Sequence, residues 1–193
     1  MPASDDLPIE LFPDATSFAT WLREHYASSP GLWLQLAKKA GALRSLSYAE
    51  AVEIALCWGW IDGQKQTHDA TSWLQRFTRR GRKSLWSAIN RDRALALIAD
   101  GRMQAPGLAE VERAQADGRW QAAYAPASRA EPPEDFKQAL AADPQAAAGF
   151  AALDAANRYA MIWRVETAKK PETRARHIAK FIAMLRSGEK LHA

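Results

Sequence analysis

Between Arg76 and Arg93 the chain reads RFTRRGRKSLWSAINRDR. Arg76, Arg79, Arg80, Arg82, Lys83, Arg91 and Arg93 are basic, and Asp92 is the one acid. The stretch carries +6 where the whole chain of 193 residues carries +4, which leaves −2 elsewhere. Charge concentrated in this way suits an anion, because guanidinium forks bind phosphate or carboxylate through paired hydrogen bonds. Ser84 and Ser87 add hydroxyl donors. With Ser84 read as an N-cap, the run opens onto a helix N-terminus, where free N–H groups and the dipole favour negative charge. Trp86 and Asn90 lie on the same segment and join the candidate set.

Just upstream stands CWGWIDGQKQ, residues 57–66. Trp58 and Trp60 flank Gly59, an Asp-Gly pair follows, and the next residues are polar. If 60–66 pairs with 72–79, then Trp60, Lys65, Gln75 and Arg79 fall on neighbouring positions of one sheet, with Arg76 close by. Aromatic rings beside cations suit a nucleic acid or a phosphate-bearing ligand, through stacking and charge neutralisation. The competing reading is that the tryptophans are core and the arginines form a solvated rim that protects the sheet edge. A third reading makes the same region a small catalytic pocket, with Asp62 as the acid/base candidate beside Lys65, Gln75, Arg76 and Asn90. A fourth makes the protein an adaptor that binds another protein.

Further along, KKPETRARHIAK holds a second basic cluster: Lys169, Lys170, Arg174 and Arg176, with Lys180 beyond. At helical spacing it reads either as a cationic face or as the solvated side of an amphipathic helix whose other side carries Ile178, Phe181 and Leu185. The four histidines show no metal-ligand spacing, and no HExxH or CxxC occurs, so no metal or cofactor is expected. Phosphate-loop, dinucleotide and nucleophile-elbow motifs are also missing from the sequence. Cys57 is the single cysteine, so no internal disulfide can form; with apolar neighbours it reads as a buried thiol.

The elements that must position these residues follow from periodicity and punctuation. Asp14 caps a first helix bearing Phe18, Trp21, Leu22 and His25, which Ser28–Gly31 ends. GLWLQLAKK alternates Leu32, Leu34 and Leu36 against Trp33, Gln35 and Ala37, a half-buried strand, and Ala40-Gly41 turns the chain. Ser47 to Glu50 is a capping box, and Gly59 stops its helix. Two more strands meet through a loop at 66–71, with a turn or bulge at Asp62-Gly63. Ser84 opens a helix that Asp100-Gly101 closes, and Pro106 opens another that Gly118 closes.

YAPASRAEPP, residues 124–133, reads as linker or surface loop. Helical signals follow at 133–142, 144–156, 158–168 and 171–187. The expected organisation is an α+β domain over 1–124, a linker over 125–133 and a helical domain over 134–193. The fold class is therefore α+β, with a small sheet of about three or more strands, packed helices and an all-helical C-terminal part.

At 48% hydrophobic and 25% charged, the composition is that of a folded chain with a real core. MPASDDLPIE lacks the apolar stretch of a secretory signal, and no run approaches a membrane span, so a cytoplasmic location is expected.

Four segments, GLWLQLAKK, SYAEAVEIALCWGWIDGQKQ, SWLQRFTRRGRKSLWSAIN and TAKKPETRARHIAKFIAMLRSGEK, together resemble the bacterial YdeI/OmpD-associated family, labelled bacteriocin-protection proteins. The last matches that family's small C-terminal helical domain. The resemblance implies a bacterial, stress- or defence-associated role and brings no catalytic residue, cofactor or substrate with it.

Overall fold

The computed structural model describes residues 7–39 and 43–192. The turn expected at Ala40-Gly41 lies outside these residues. The chain divides into two compact units, 1–123 and 124–193.

The first unit is built on a mixed sheet of four strands, in the order β1-β2-β4-β3. β2 (Leu32–Ala37), β3 (Trp60–Thr67) and β4 (Ser72–Arg79) are the expected strands, paired antiparallel with β4 at the centre of the three. β1 (Ile9–Glu10) is an addition that the sequence did not signal: two residues pair parallel with Trp33 and Leu34. Two residues are too few for any alternation to be read.

The helices α1 (Ala15–His25), α2 (Tyr48–Cys57), α3 (Ala88–Ala99) and α4 (Ala105–Ala116) complete the unit. α2 packs on α1, α3, α4 and β3. It begins where expected: the Ser47 hydroxyl accepts from the Glu50 N–H, and the Glu50 carboxylate accepts from the Ser47 N–H. Leu32, Leu34, Leu36, Trp60 and Phe77 bury one face of the sheet in the main core with Phe18, Leu22 and most of α2. The opposite face is not simply solvated. Leu7 packs there with Trp33 and Leu74, so β2 is covered on both sides instead of being half-buried.

The bulge signal at Asp62-Gly63 is confirmed. The β3–β4 register runs Asp62↔Phe77 and then Lys65↔Gln75, so Gly63 and Gln64 on β3 stand opposite the single residue Arg76 on β4. The Gln75 side-chain amide donates to the carbonyls of Gly63 and Gln64, at 2.8 and 3.2 Å. Gln75 is thereby buried as a bulge clamp.

The α3 cap is a correction. Ser87, not Ser84, accepts from the Asn90 N–H, 3.1 Å away. Ser84 instead closes a tight turn with Gly81, accepting from its N–H at 2.9 Å. Two serines three residues apart offer the same signal, and the Gly81 turn takes the first. The basic run therefore does not lead directly into a helix N-terminus.

The second unit holds α5 (Glu134–Ala141), α6 (Pro144–Ala152), α7 (Ala155–Glu166) and α8 (Pro171–Arg186) around Phe136, Met161, Val165, Phe181 and Leu185. The helix expected over 144–156 ends early, because Leu153 is extended and Asp154 caps α7 by accepting from the Asn157 N–H. The fold is thus α+β with helices in the C-terminal part. No helix among the described residues is long and apolar enough to cross a membrane.

Candidate anion-binding site

The chain leaves α2 at Trp58 and turns at Gly59, where φ is +72°. A Cβ here would sit 2.9 Å from both Glu110 Cγ and the Pro106 carbonyl oxygen, so α4 lies directly against the turn. The Gly59 carbonyl accepts from the Arg80 N–H at 3.0 Å. Trp60 pairs with Arg79, so the end of β4 arrives at the same place.

Between these elements is a cavity of about 340 Å³. Arg79 and Arg80 line it from the end of β4, and Trp58 and Tyr26 from the ends of α2 and α1. Pro106, Ala109, Glu110 and Arg113 line it from one stripe of α4. That stripe follows from helical spacing, since Gly107, Val111 and Ala114 take the opposite, buried side.

Each arginine is held differently. Arg79 is exposed and donates from one terminal nitrogen to the Ala27 carbonyl at 3.1 Å. Arg80 is buried, with its guanidinium 3.8 Å from the ring centroid of Trp86, and donates to the Leu85 carbonyl at 3.2 Å. Trp86 rests in turn on Trp120, with centroids 4.8 Å apart. Arg113 pairs with Glu110, and its Nε is buried with no hydrogen-bond partner among the described residues. Three arginines and one glutamate therefore line one cavity, a net cationic lining, with the Arg80 guanidinium turned to Trp86. The rings of Tyr26 and Trp58 form its aromatic wall, 5.2 Å apart and tilted by 37°.

Trp58 also lines a second cavity of about 540 Å³. Its floor includes Ala15, Ala19, Ile54 and Cys57, with Thr16, Thr20, Arg23, Arg102 and Gln104 as the polar part. Burial pushes the Cys57 thiol above its ordinary pKa, so it stays protonated at neutral pH.

Of the residues singled out by sequence, Trp58, Arg79 and Arg80 come together in the first cavity. Others are placed elsewhere. Trp60 is fully buried, its Nε1 donating to the Tyr26 carbonyl at 3.2 Å, and Trp86 lies buried beneath Arg80. Neither offers a face to a base, which corrects the picture of a broad aromatic platform. A tryptophan beside a turn looks the same in sequence whether its ring turns inward or outward.

Lys65 lies over Trp73, 4.4 Å from its centroid. Arg76 pairs with Trp33, on the sheet face opposite Gln75 and Phe77. Lys83 is exposed, and Asn90 lies on the first turn of α3. Asp62 accepts from the Tyr48 hydroxyl at 2.6 Å. The proposed pocket around Asp62 thus loses Arg76 to the other face and Gln75 to the bulge. Among the described residues no group of three or more His, Cys, Asp or Glu is placed to hold a metal.

Tyr26, Glu110 and Arg113 were missed. The signal for the last two was the α4 stripe beginning at Pro106, although nothing in the sequence says what that stripe faces.

In the second unit the basic cluster is divided. Arg174 is bound to Asp135 and donates to the Val165 carbonyl at 2.8 Å, whereas Lys169, Lys170 and Arg176 are exposed. A groove of about 670 Å³ between α5 and α8 is floored by alanines with Ile178 and Ile182 and bounded by two Asp–Arg pairs, Asp135–Arg174 and Asp143–Arg186.

Residues 10–110 match the family model described as Domain of unknown function (DUF8412). Residues 129–188 match the one described as Bacteriocin-protection, YdeI or OmpD-Associated. No curated protein and no solved structure matches the chain.

Proposed function

We propose, for a chain that belongs to the DUF8412 family and carries a bacteriocin-protection, YdeI or OmpD-associated C-terminal part, that the first unit is a binding module for a compact phosphate-bearing anion. The observation that carries this reading is the convergence of Arg79, Arg80 and Arg113 on one cavity. An oxyanion between Arg79 and Arg113 forms charge-assisted bonds to both. The aromatic wall of Tyr26 and Trp58 excludes water from one side and strengthens those bonds.

A long nucleic-acid strand is disfavoured. A strand needs a row of exposed rings along a basic groove, yet Trp60 and Trp86 are buried and Arg80 is committed to Trp86. What remains beside Arg79 is a cavity of small-ligand size.

Isothermal titration with inorganic phosphate at low and high salt tests the reading. The expected result is saturable binding that weakens as salt rises and falls at least tenfold in Arg79→Glu and in Arg113→Met. Absence of binding at low salt, or binding unchanged in both variants, overturns it.

A further inference from the structure

The arginine cavity accounts for a phosphate but leaves the neighbouring cavity unexplained. Trp58 lines both, so the two cavities meet at that residue. The two have different chemistry. Three arginines line the first. In the second, Ala15, Ala19 and Ile54 offer an apolar floor beside Trp58, while Thr16, Thr20 and Gln104 supply neutral hydrogen-bonding groups. Arg23 and Arg102, also on its lining, each sit against a carboxylate, Glu24 at 4.0 Å and Glu53 at 3.0 Å.

An apolar floor, an aromatic ring and neutral donors and acceptors suit a planar heteroaromatic ring: its faces stack and its edges bond. The second cavity is also the larger, at about 540 Å³ against about 340 Å³. A phosphate needs less room than a ring, so the sizes agree with the chemistry.

Resting on the reading of the arginine cavity as the anion site, we propose that the ligand is a nucleoside monophosphate. Its phosphate lies between Arg79 and Arg113, its pentose crosses Trp58, and its base occupies the second cavity. No bond is made or broken. The specificity-determining residues are then those of the second cavity, on the α1 stripe of Ala15, Thr16, Ala19 and Thr20.

The full chain is titrated with inorganic phosphate, ribose 5-phosphate, AMP, GMP, CMP and UMP, followed by calorimetry. Two filled variants run beside it: Thr16→Trp, at an exposed position, and Ala19→Leu, partly buried. Thermal melting identifies the variants that keep the fold. At least one nucleoside monophosphate is expected to bind tenfold or more tighter than ribose 5-phosphate. That advantage is expected to disappear in the folded filled variants, while their affinity for ribose 5-phosphate stays within twofold of the parent. Nucleotides that bind no tighter than ribose 5-phosphate, while the phosphates still bind, overturn the base-site proposal and leave the anion site standing. An advantage that survives in both filled variants overturns it too. If no phosphate compound binds, the anion reading falls and this proposal falls with it.

Discussion

At the scale of single residues, the cavity depends on a glycine as much as on its arginines. Gly59 combines a left-handed φ with an approach of 2.9 Å to α4 at its missing Cβ. The left-handed conformation alone costs a non-glycine residue roughly 1–2 kcal/mol, and the collision adds to it. Gly59→Ala is therefore expected to lower stability by at least that much in chemical denaturation, and to displace Glu110 from the cavity wall. Trp60 makes the opposite point. It was a candidate ligand platform and is a core residue, so Trp60→Ala is expected to cost about 3–5 kcal/mol, as removal of a buried indole does. A stability loss near zero would mean that the ring faces solvent.

Among whole elements, those with local signals were legible. The capping box at Ser47, the stop at Gly59 and the bulge at Asp62-Gly63 each depend on residues close in the chain, and each stands as read. The misreadings arose where two local signals compete or where none exists. Ser84 and Ser87 are both good caps, and the turn with Gly81 decides between them. The break at Leu153 hides in an alanine-rich stretch whose glycine, Gly149, lies inside α6 and not at the break. β1 is held by pairing alone.

The cap assignment has a direct test. Ser87→Ala is expected to cost about 1 kcal/mol through loss of the Asn90 N–H bond. Ser84→Ala leaves α3 capped and affects only the turn at 81–84. Equal losses of α3 amide protection in the two variants, measured by hydrogen exchange, would contradict this.

For the whole molecule, the cavity was least legible because its wall is assembled from Tyr26, Trp58, Arg79 and Arg113, which only the packed fold brings together. Charge density singled out residues 76–93, and three of the arginines there have different neighbours: Arg76 lies on the far face of the sheet, Arg79 at the cavity and Arg80 over a tryptophan.

The second unit carries a prediction about acid. Asp135 is held below its ordinary carboxylate range first by its bond from Arg174. Asp143 is held down first by the Ala146 N–H, and Asp154 by the Asn157 N–H. Carboxylates lowered in the folded state add stability that is complete above their unfolded value, near 4. That stability is lost as pH falls through the lower folded values. Melting temperature is therefore expected to be level from pH 7 to about 5 and to fall below 4. Arg174→Met is expected to shrink the contribution of Asp135 to that fall, because the folded carboxyl then titrates closer to its unfolded value.

The central claim is that Arg79 and Arg113 form one anion site beside Trp58. Its most direct test is a two-dimensional ¹H–¹⁵N spectrum of the arginine Nε–H and tryptophan indole groups, recorded while inorganic phosphate is added. The expected result is saturating shifts at Arg79, Arg113 and Trp58 with a common midpoint, while Arg82 and Arg91 stay still. Shifts that fail to saturate, or that are largest at Arg82 and Arg91, would contradict it, because the anion would then be following charge density along the surface and not the cavity.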